Sequence, residues 1–214
     1  MASADLPALT GPGLELVYAA SARSIWPHHE LRDRTEHLNL STRRVLWLIG
    51  LAFVLHEAEE WNLVSWFQAN FEPPPQFNDR EARTLLVVFA LLGISFTGLS
   101  IRLLSLRGAL FALLPLFVAV VLGNALTHIF WLLYFRTYAP GVLTSVFLLV
   151  PLTLYLIRGV LRERLVPPSY VWSLVALALL QLVGAAAAGS SLSGPQLAFQ
   201  RLGARIAEWL WGAG

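Results

Sequence analysis

Five stretches of the chain, residues 45–67, 84–104, 109–135, 142–157 and 171–189, are apolar over lengths that approach a membrane span. A helix needs about 20 such residues to cross about 30 Å of hydrocarbon. The fourth stretch is short but can begin near Pro140. Each is too long for a strand, and a helix satisfies its own backbone groups inside lipid. Composition agrees: 57% of the 214 residues are hydrophobic and 13% are charged, where a soluble domain carries about 25% charged residues. Pro115 and Pro151 lie inside the third and fourth stretches and predict kinks. The expected fold is all-α, a polytopic membrane helix bundle of about five transmembrane helices plus a C-terminal interfacial helix. Residues 43–190 form the transmembrane domain, between an N-terminal cytoplasmic or interfacial segment (1–42) and a C-terminal amphipathic tail (191–214).

Arginine placement sets the expected orientation. Arg23, Arg32, Arg34, Arg43 and Arg44 precede the first span, Arg102 and Arg107 flank the second loop, and Arg158, Arg162 and Arg164 follow span four. On the other side, Arg80 and Arg83 are countered by Glu72, Asp79 and Glu81, leaving Arg136 alone. The bias favours a multi-pass protein of the cell membrane with a cytoplasmic N-terminus; Arg201 and Arg205 in the tail argue mildly against the C-terminus this puts outside. Net charge is only +2, with the arginines scattered and no lysine present, so nothing supports a nucleic-acid partner. With no cysteine there is no disulfide, thiolate metal site or thiol nucleophile.

The ends say less. Residues 1–42 lack the continuous apolar core of a secretory signal, so no cleavage is expected. "PHHELRDRTEHL" could form a short interfacial helix, and its adjacent His28 and His29 are weak candidates for metal. In "PQLAFQRLGARIAEWLWG", Leu202, Ile206, Trp209 and Leu210 share one helical face beside Arg201 and Arg205, the pattern of a helix lying in the membrane interface.

The first span carries an anomaly, "LAFVLHEAEEWNLVSW" (51–66), in which His56, Glu57, Glu59 and Glu60 interrupt an apolar run. On a helix His56, Glu59 and Glu60 share a face, whereas Glu57 points about 100° from His56. At 1.5 Å per residue from Arg44, His56 lies about 18 Å into the membrane and Glu60 about 24 Å. His128, counted back from Arg136, lies about 12 Å below the outer edge, at the depth of His56 in a core of about 30 Å. Asn124 sits one turn earlier on the same face. Asn124 alone reads as interhelical hydrogen-bonding glue, and Glu57 as a residue packed against a basic or polar neighbour. His56, Glu59, Glu60 and His128 together point to a site, because several ionisable groups deep in lipid are costly and usually functional. No lysine is available to neutralise the glutamates; a divalent cation would do so directly.

The chain resembles the HXXEE-domain family of small bacterial and archaeal membrane proteins, whose signatures are H-x-x-E-E, N-x-x-x-H and Y-x-P-G. They stand here as His56–Glu59–Glu60 in "HEAEE", Asn124–His128 in "NALTH" and Tyr138–Pro140–Gly141 in "YAPG", in the family's order. The resemblance covers roughly residues 46–157. It implies an enzymatic activity whose substrate is open.

The third signature has its own physics. Pro140 suits the first turn of the fourth helix and Gly141 allows close backbone approach. Tyr138 could hang over the mouth of the site with its hydroxyl inward, or else belong to an aromatic belt with Trp61, Trp66, Trp131 and Tyr134. Thr144, one turn into span four, is a weaker candidate to line the pocket. Imidazole plus carboxylate without sulfur suits Zn²⁺, with Fe²⁺ or Mn²⁺ as alternatives. The simplest arrangement is one zinc held by His56, His128 and one of Glu59 or Glu60, with the other glutamate as general base. Glu60 as ligand and Glu59 as base is the favoured assignment, with Asn124 orienting His128 or stabilising an oxyanion. Two histidines are thin for a di-iron centre. The expected function is metal-dependent hydrolysis of a lipid or other hydrophobic small molecule reaching the outer half of the bilayer sideways. The alternative is a non-enzymatic carrier of a cation or proton; polar residues in the inner half, beyond Gln181, are few for that.

Overall fold

In a computed structural model the backbone is described for residues 28–212 and side chains from Ser41 onward. The expectations for 1–27, and for the side chains of His28 and His29, fall outside the described residues. Thr42–Gly214 forms one compact unit, which holds the whole ionisable cluster.

All described elements are helices, with no strand among the described residues. They are α1 (His28–Glu59), α2 (Leu63–Asn70), α3 (Asp79–Leu103), α4 (Leu106–Phe135), α5 (Val142–Arg162), α6 (Pro168–Ala188) and α7 (Gly194–Trp211). Four of them, α3 to α6, are long and apolar enough to cross a membrane. The first expected span differs. Its apolar run is interrupted by the ionisable cluster, and α1 gives way to α2 through a 3₁₀ turn at Glu60–Asn62. Arg83 of α3 serves that turn: its Nε donates to the Trp61 carbonyl at 3.2 Å and its guanidinium lies over the Trp61 ring.

Both expected kinks are changes of helix type. Residues 115–122 of α4, beginning at Pro115, and residues 145–149 of α5, just before Pro151, form π-turns. Proline lacks the N–H that would bond back to residue i−4, so the ladder widens locally. In α4 the Ala119 carbonyl accepts a hydrogen bond from Gln181 Nε2 of α6. Gln181 lies across Gly123, where a Cβ would meet the amide nitrogen at 2.5 Å. At the other end of the bundle the Arg43 guanidinium donates to the Ile101 and Leu104 carbonyls at the end of α3, which satisfies orphan acceptors and opposes the helix dipole.

A buried core of Leu46, Ile49, Leu110, Leu113, Phe117 and their neighbours joins α1 to α4–α6. A second core, around Phe67, Phe71, Phe77 and Trp131, sits beside the ionisable cluster. Trp66 and Trp131 belong to this aromatic cluster, within 6 Å of Phe71, whereas Trp61 and Tyr134 are exposed. The tail forms a helix, and small residues face the rest of the bundle. Gly203 and Ala207 are buried, with Gly203 close against Glu81 and Leu85 of α3, and Leu202, Trp209 and Leu210 remain exposed.

Candidate metal centre

The end of α1 and the 3₁₀ turn after it carry His56, Glu59 and Glu60. His56 is fully buried, and Glu60, one turn later, is nearly so. Glu60 Oε1 lies 3.0 Å from His56 Nε2 and 2.7 Å from Nε2 of His128 on α4. The rings of His56 and His128 stand edge to face, 4.9 Å between centroids. Three atoms of ligand type, Glu60 Oε1 and the two histidine Nε2 atoms, thus come together in a buried place.

Glu59 turns elsewhere. Its carboxylate accepts from the Leu143 and Thr144 backbone N–H groups at 3.0 and 2.8 Å, from the Thr144 hydroxyl at 2.6 Å and from the Tyr138 hydroxyl at 2.5 Å. It caps the start of α5, where amides lack intrahelical acceptors and the dipole favours negative charge. Burial, reinforced by the hydrogen bond to Glu59, pushes the Tyr138 hydroxyl up to about 12. Thr144 Oγ1 also lies 2.8 Å from His56 Nδ1. The Thr144 hydroxyl has acceptors in Glu59 Oε2 and in the Gly141 carbonyl at 3.1 Å, an arrangement in which the imidazole would donate through Nδ1–H. That tautomer leaves the Nε2 lone pair facing Glu60 and His128, where the Asn124 amide nitrogen approaches it at 3.0 Å. A hydrogen bond on the far nitrogen fixes ligand rings in this way in metal sites.

Do these residues fit an ion? Two donors on one tetrahedral zinc at bonds of 2.0–2.2 Å stand roughly 3.3 Å apart, so the observed separations need only a small outward relaxation. His56, Glu60 and His128 each offer one donor within 4.8 Å of the others. The backbone makes room as well. Gly141, at φ 87°, passes so close that a Cβ would lie 2.7 Å from His56 Cε1, 3.0 Å from Glu60 Oε1 and 3.1 Å from His128 Cε1. Any side chain there would fill the space the three residues enclose.

Of the residues expected from sequence, the structure brings His56, Glu60, His128 and Asn124 together, and sets Glu59 and Tyr138 behind them against α5. Glu57 is the difference. It is 5% exposed, and its buried Oε2 has no hydrogen-bond partner, where the sequence leads one to expect a basic or polar neighbour. It lines, with Glu60, Asn124 and His128, a cavity of about 420 Å³ whose remaining walls come from α1 to α4, α6 and α7. The available signal is its i,i+3 spacing to Glu60, which puts both on one side of the helix. Thr144 and Gly141 prove more central than their sequence positions suggest.

A family described as "Protein of unknown function with HXXEE motif" matches residues 47–156, just over half of the chain and every residue of the centre from His56 to Thr144. No curated protein and no solved structure matches.

Proposed function

The chain belongs to the HXXEE family, and we propose that it is a membrane-embedded, metal-dependent enzyme of hydrolytic type acting on a hydrophobic small molecule. The observation that carries this is the convergence of His56, Glu60 and His128, of which Glu60 and His128 line a largely apolar cavity. Two imidazoles and one carboxylate without sulfur suit zinc, or Fe²⁺ or Mn²⁺, and three protein donors leave a position open, as catalytic sites do. An ion there would supply Lewis acidity and a lowered pKa for water. His56 and His128 would each present Nε2 to the ion beside Glu60. Thr144 and Glu59 keep the His56 proton on the far nitrogen, a positioning role in place of the base expected of Glu59. Tyr138 in turn holds Glu59 to the start of α5. Asn124 stands beside the centre with an amide that can serve a developing oxyanion.

The apolar helices α3 to α6 are compatible with insertion in a membrane. In this reading α1 crosses the membrane beside them with α2 at its outer end, the N-terminus is cytoplasmic, and the centre opens in the outer half of the bilayer to a lipid-like molecule. Elemental analysis of detergent-purified protein, beside His56→Ala and Glu60→Ala, tests the proposal. One divalent ion per chain, lost in both variants, is the expected result. Full metal content in both variants, or none in the parent after zinc reconstitution, would reduce the cluster to interhelical packing. Glu60-dependent ion flux in vesicles without turnover would replace the enzyme with a carrier.

A further inference from the structure

Two groups approach His56 Nε2 equally closely. Glu60 Oε1 lies 3.0 Å away, and so does the side-chain amide nitrogen of Asn124. Donors that share one tetrahedral ion at bonds of 2.0–2.2 Å stand roughly 3.3 Å apart, so the amide meets that spacing as well as Glu60 does. Asn124 stands one turn before His128 on α4 and lines the cavity, the chamber beside the centre, with Glu60 and His128. Among the described residues no second hydrogen bond ties its side chain.

That hydrogen bond and a bound ion exclude one another. With the His56 proton on Nδ1 toward Thr144, the ring has only the Nε2 lone pair to give, and an Asn124 N–H takes it. An ion needs the same lone pair. The displaced N–H would then point its positive end at a cation. Rotation about the last side-chain bond exchanges the amide's nitrogen and oxygen with almost no change in shape. It turns a carbonyl oxygen, of the right sign, toward the ion.

We propose that Asn124 Oδ1 is a fourth donor of the centre, reached by turning over the amide that bonds His56. The inference rests on the metal centre proposed above and fixes its donor count and ion class. Four protein donors close a tetrahedral zinc site, the pattern of structural zinc. Carbonyl and carboxylate oxygens suit Mn²⁺, imidazoles with a carboxylate suit Fe²⁺, and both ions accept more than four donors. With Asn124 in the set, the centre therefore keeps a position for water or substrate only on an ion of this kind, so Mn²⁺ or Fe²⁺ replaces zinc as its occupant.

Mn²⁺ is the probe, because its electron spin reports its ligands. The detergent-purified full chain is stripped with chelator and titrated with Mn²⁺ and with Zn²⁺. The parent should take one Mn²⁺ per chain. In protein carrying asparagine labelled with carbon-13 at the side-chain carbonyl, the bound ion should show a carbon-13 hyperfine coupling that Asn124→Asp removes. Asn124→Asp keeps an oxygen donor and should bind Mn²⁺ at least as tightly as the parent. Asn124→Leu keeps the shape without a donor and should lose about 100-fold or more in affinity, since losing an outer partner of a ligand already costs roughly 10–100-fold. The coupling is read on the parent, so the test holds even where Asn124→Leu fails to fold. An orienting or oxyanion role alone leaves Mn²⁺ affinity unchanged in Asn124→Leu, and a merely obstructing amide raises it. Either result overturns this inference while the metal centre stands. So does a loaded parent without the coupling, or a parent that takes zinc and refuses Mn²⁺. A parent that takes neither ion defeats the metal-centre reading, and this inference with it.

Discussion

Replacing Thr144 by valine keeps the shape of the side chain and removes only the hydroxyl that links His56 to Glu59. His56 Nδ1, in a fully buried ring, then loses its acceptor at 2.8 Å. In metal-free protein the imidazole can respond by moving its proton to Nε2, where the Asn124 amide, turned over, accepts it at the same 3.0 Å separation. Metal binding has to drive the proton back to Nδ1, which now faces no acceptor. A buried donor left unsatisfied costs about 1–3 kcal/mol, so zinc affinity should fall about five- to 150-fold, the range typical when a ligand loses its outer hydrogen-bond partner. Competition against a chromophoric chelator measures the affinity, and nitrogen chemical shifts of the imidazole report the tautomer in the metal-free state. Thr144→Ser retains the hydroxyl and should bind like the parent. Parental affinity in Thr144→Val, or an Nε2–H tautomer in the metal-free parent, would refute the reasoning.

Other substitutions separate the groups around the centre. His128→Ala should abolish metal retention, whereas Glu57→Gln should leave stoichiometry intact because Glu57 faces the chamber; elemental analysis reads both. Gly141→Ala should lose metal and lower the thermal midpoint, since its Cβ would occupy the space between the donors and a non-glycine residue in the left-handed region costs about 1–2 kcal/mol. The Tyr138 phenol should ionise only near pH 12, above its ordinary value of 10.0. Its hydrogen bond to Glu59 therefore supports the fold fully below pH 10 and is lost as pH rises through 12. A tyrosinate absorbance titration that shows no late component removed by Tyr138→Phe would contradict this. Labelling of Asn78→Cys by a membrane-impermeant maleimide should occur from outside the cell; labelling only after lysis would reverse the orientation.

Much of this arrangement is legible in the sequence because helical periodicity is a local property. The spacing of His56 to Glu60 and of Asn124 to His128 puts each pair on one face whatever the tertiary fold, and the depth arithmetic brings the two faces level. What periodicity leaves open is the direction taken by adjacent residues at a helix end. Glu59 and Glu60 diverge by about 100°, and only the position of α5 decides that Glu59 meets its free amides while Glu60 meets the histidines. Glu57 is misleading for a similar reason: its angle from His56 turns it away from one partner, while its three-residue spacing to Glu60 keeps it beside the other. The tail shows what amphipathic patterns leave out: large apolar residues mark one face of α7, and the small residues Gly203 and Ala207, which carry no such signal, are the ones buried, as close helix packing favours.

The chamber's walls also have an order in time. The donors His56, Glu60 and His128 all precede α6 and α7 along the chain, whereas Gln181, Ala185, Phe199 and Leu202 complete the enclosure. A nascent chain emerging from the ribosome therefore carries its full donor set while that side is still open. Under the proposed function, ion loading would have its widest access during biogenesis, before the later helices dock, and the finished protein would exchange an ion more slowly than it first acquired it.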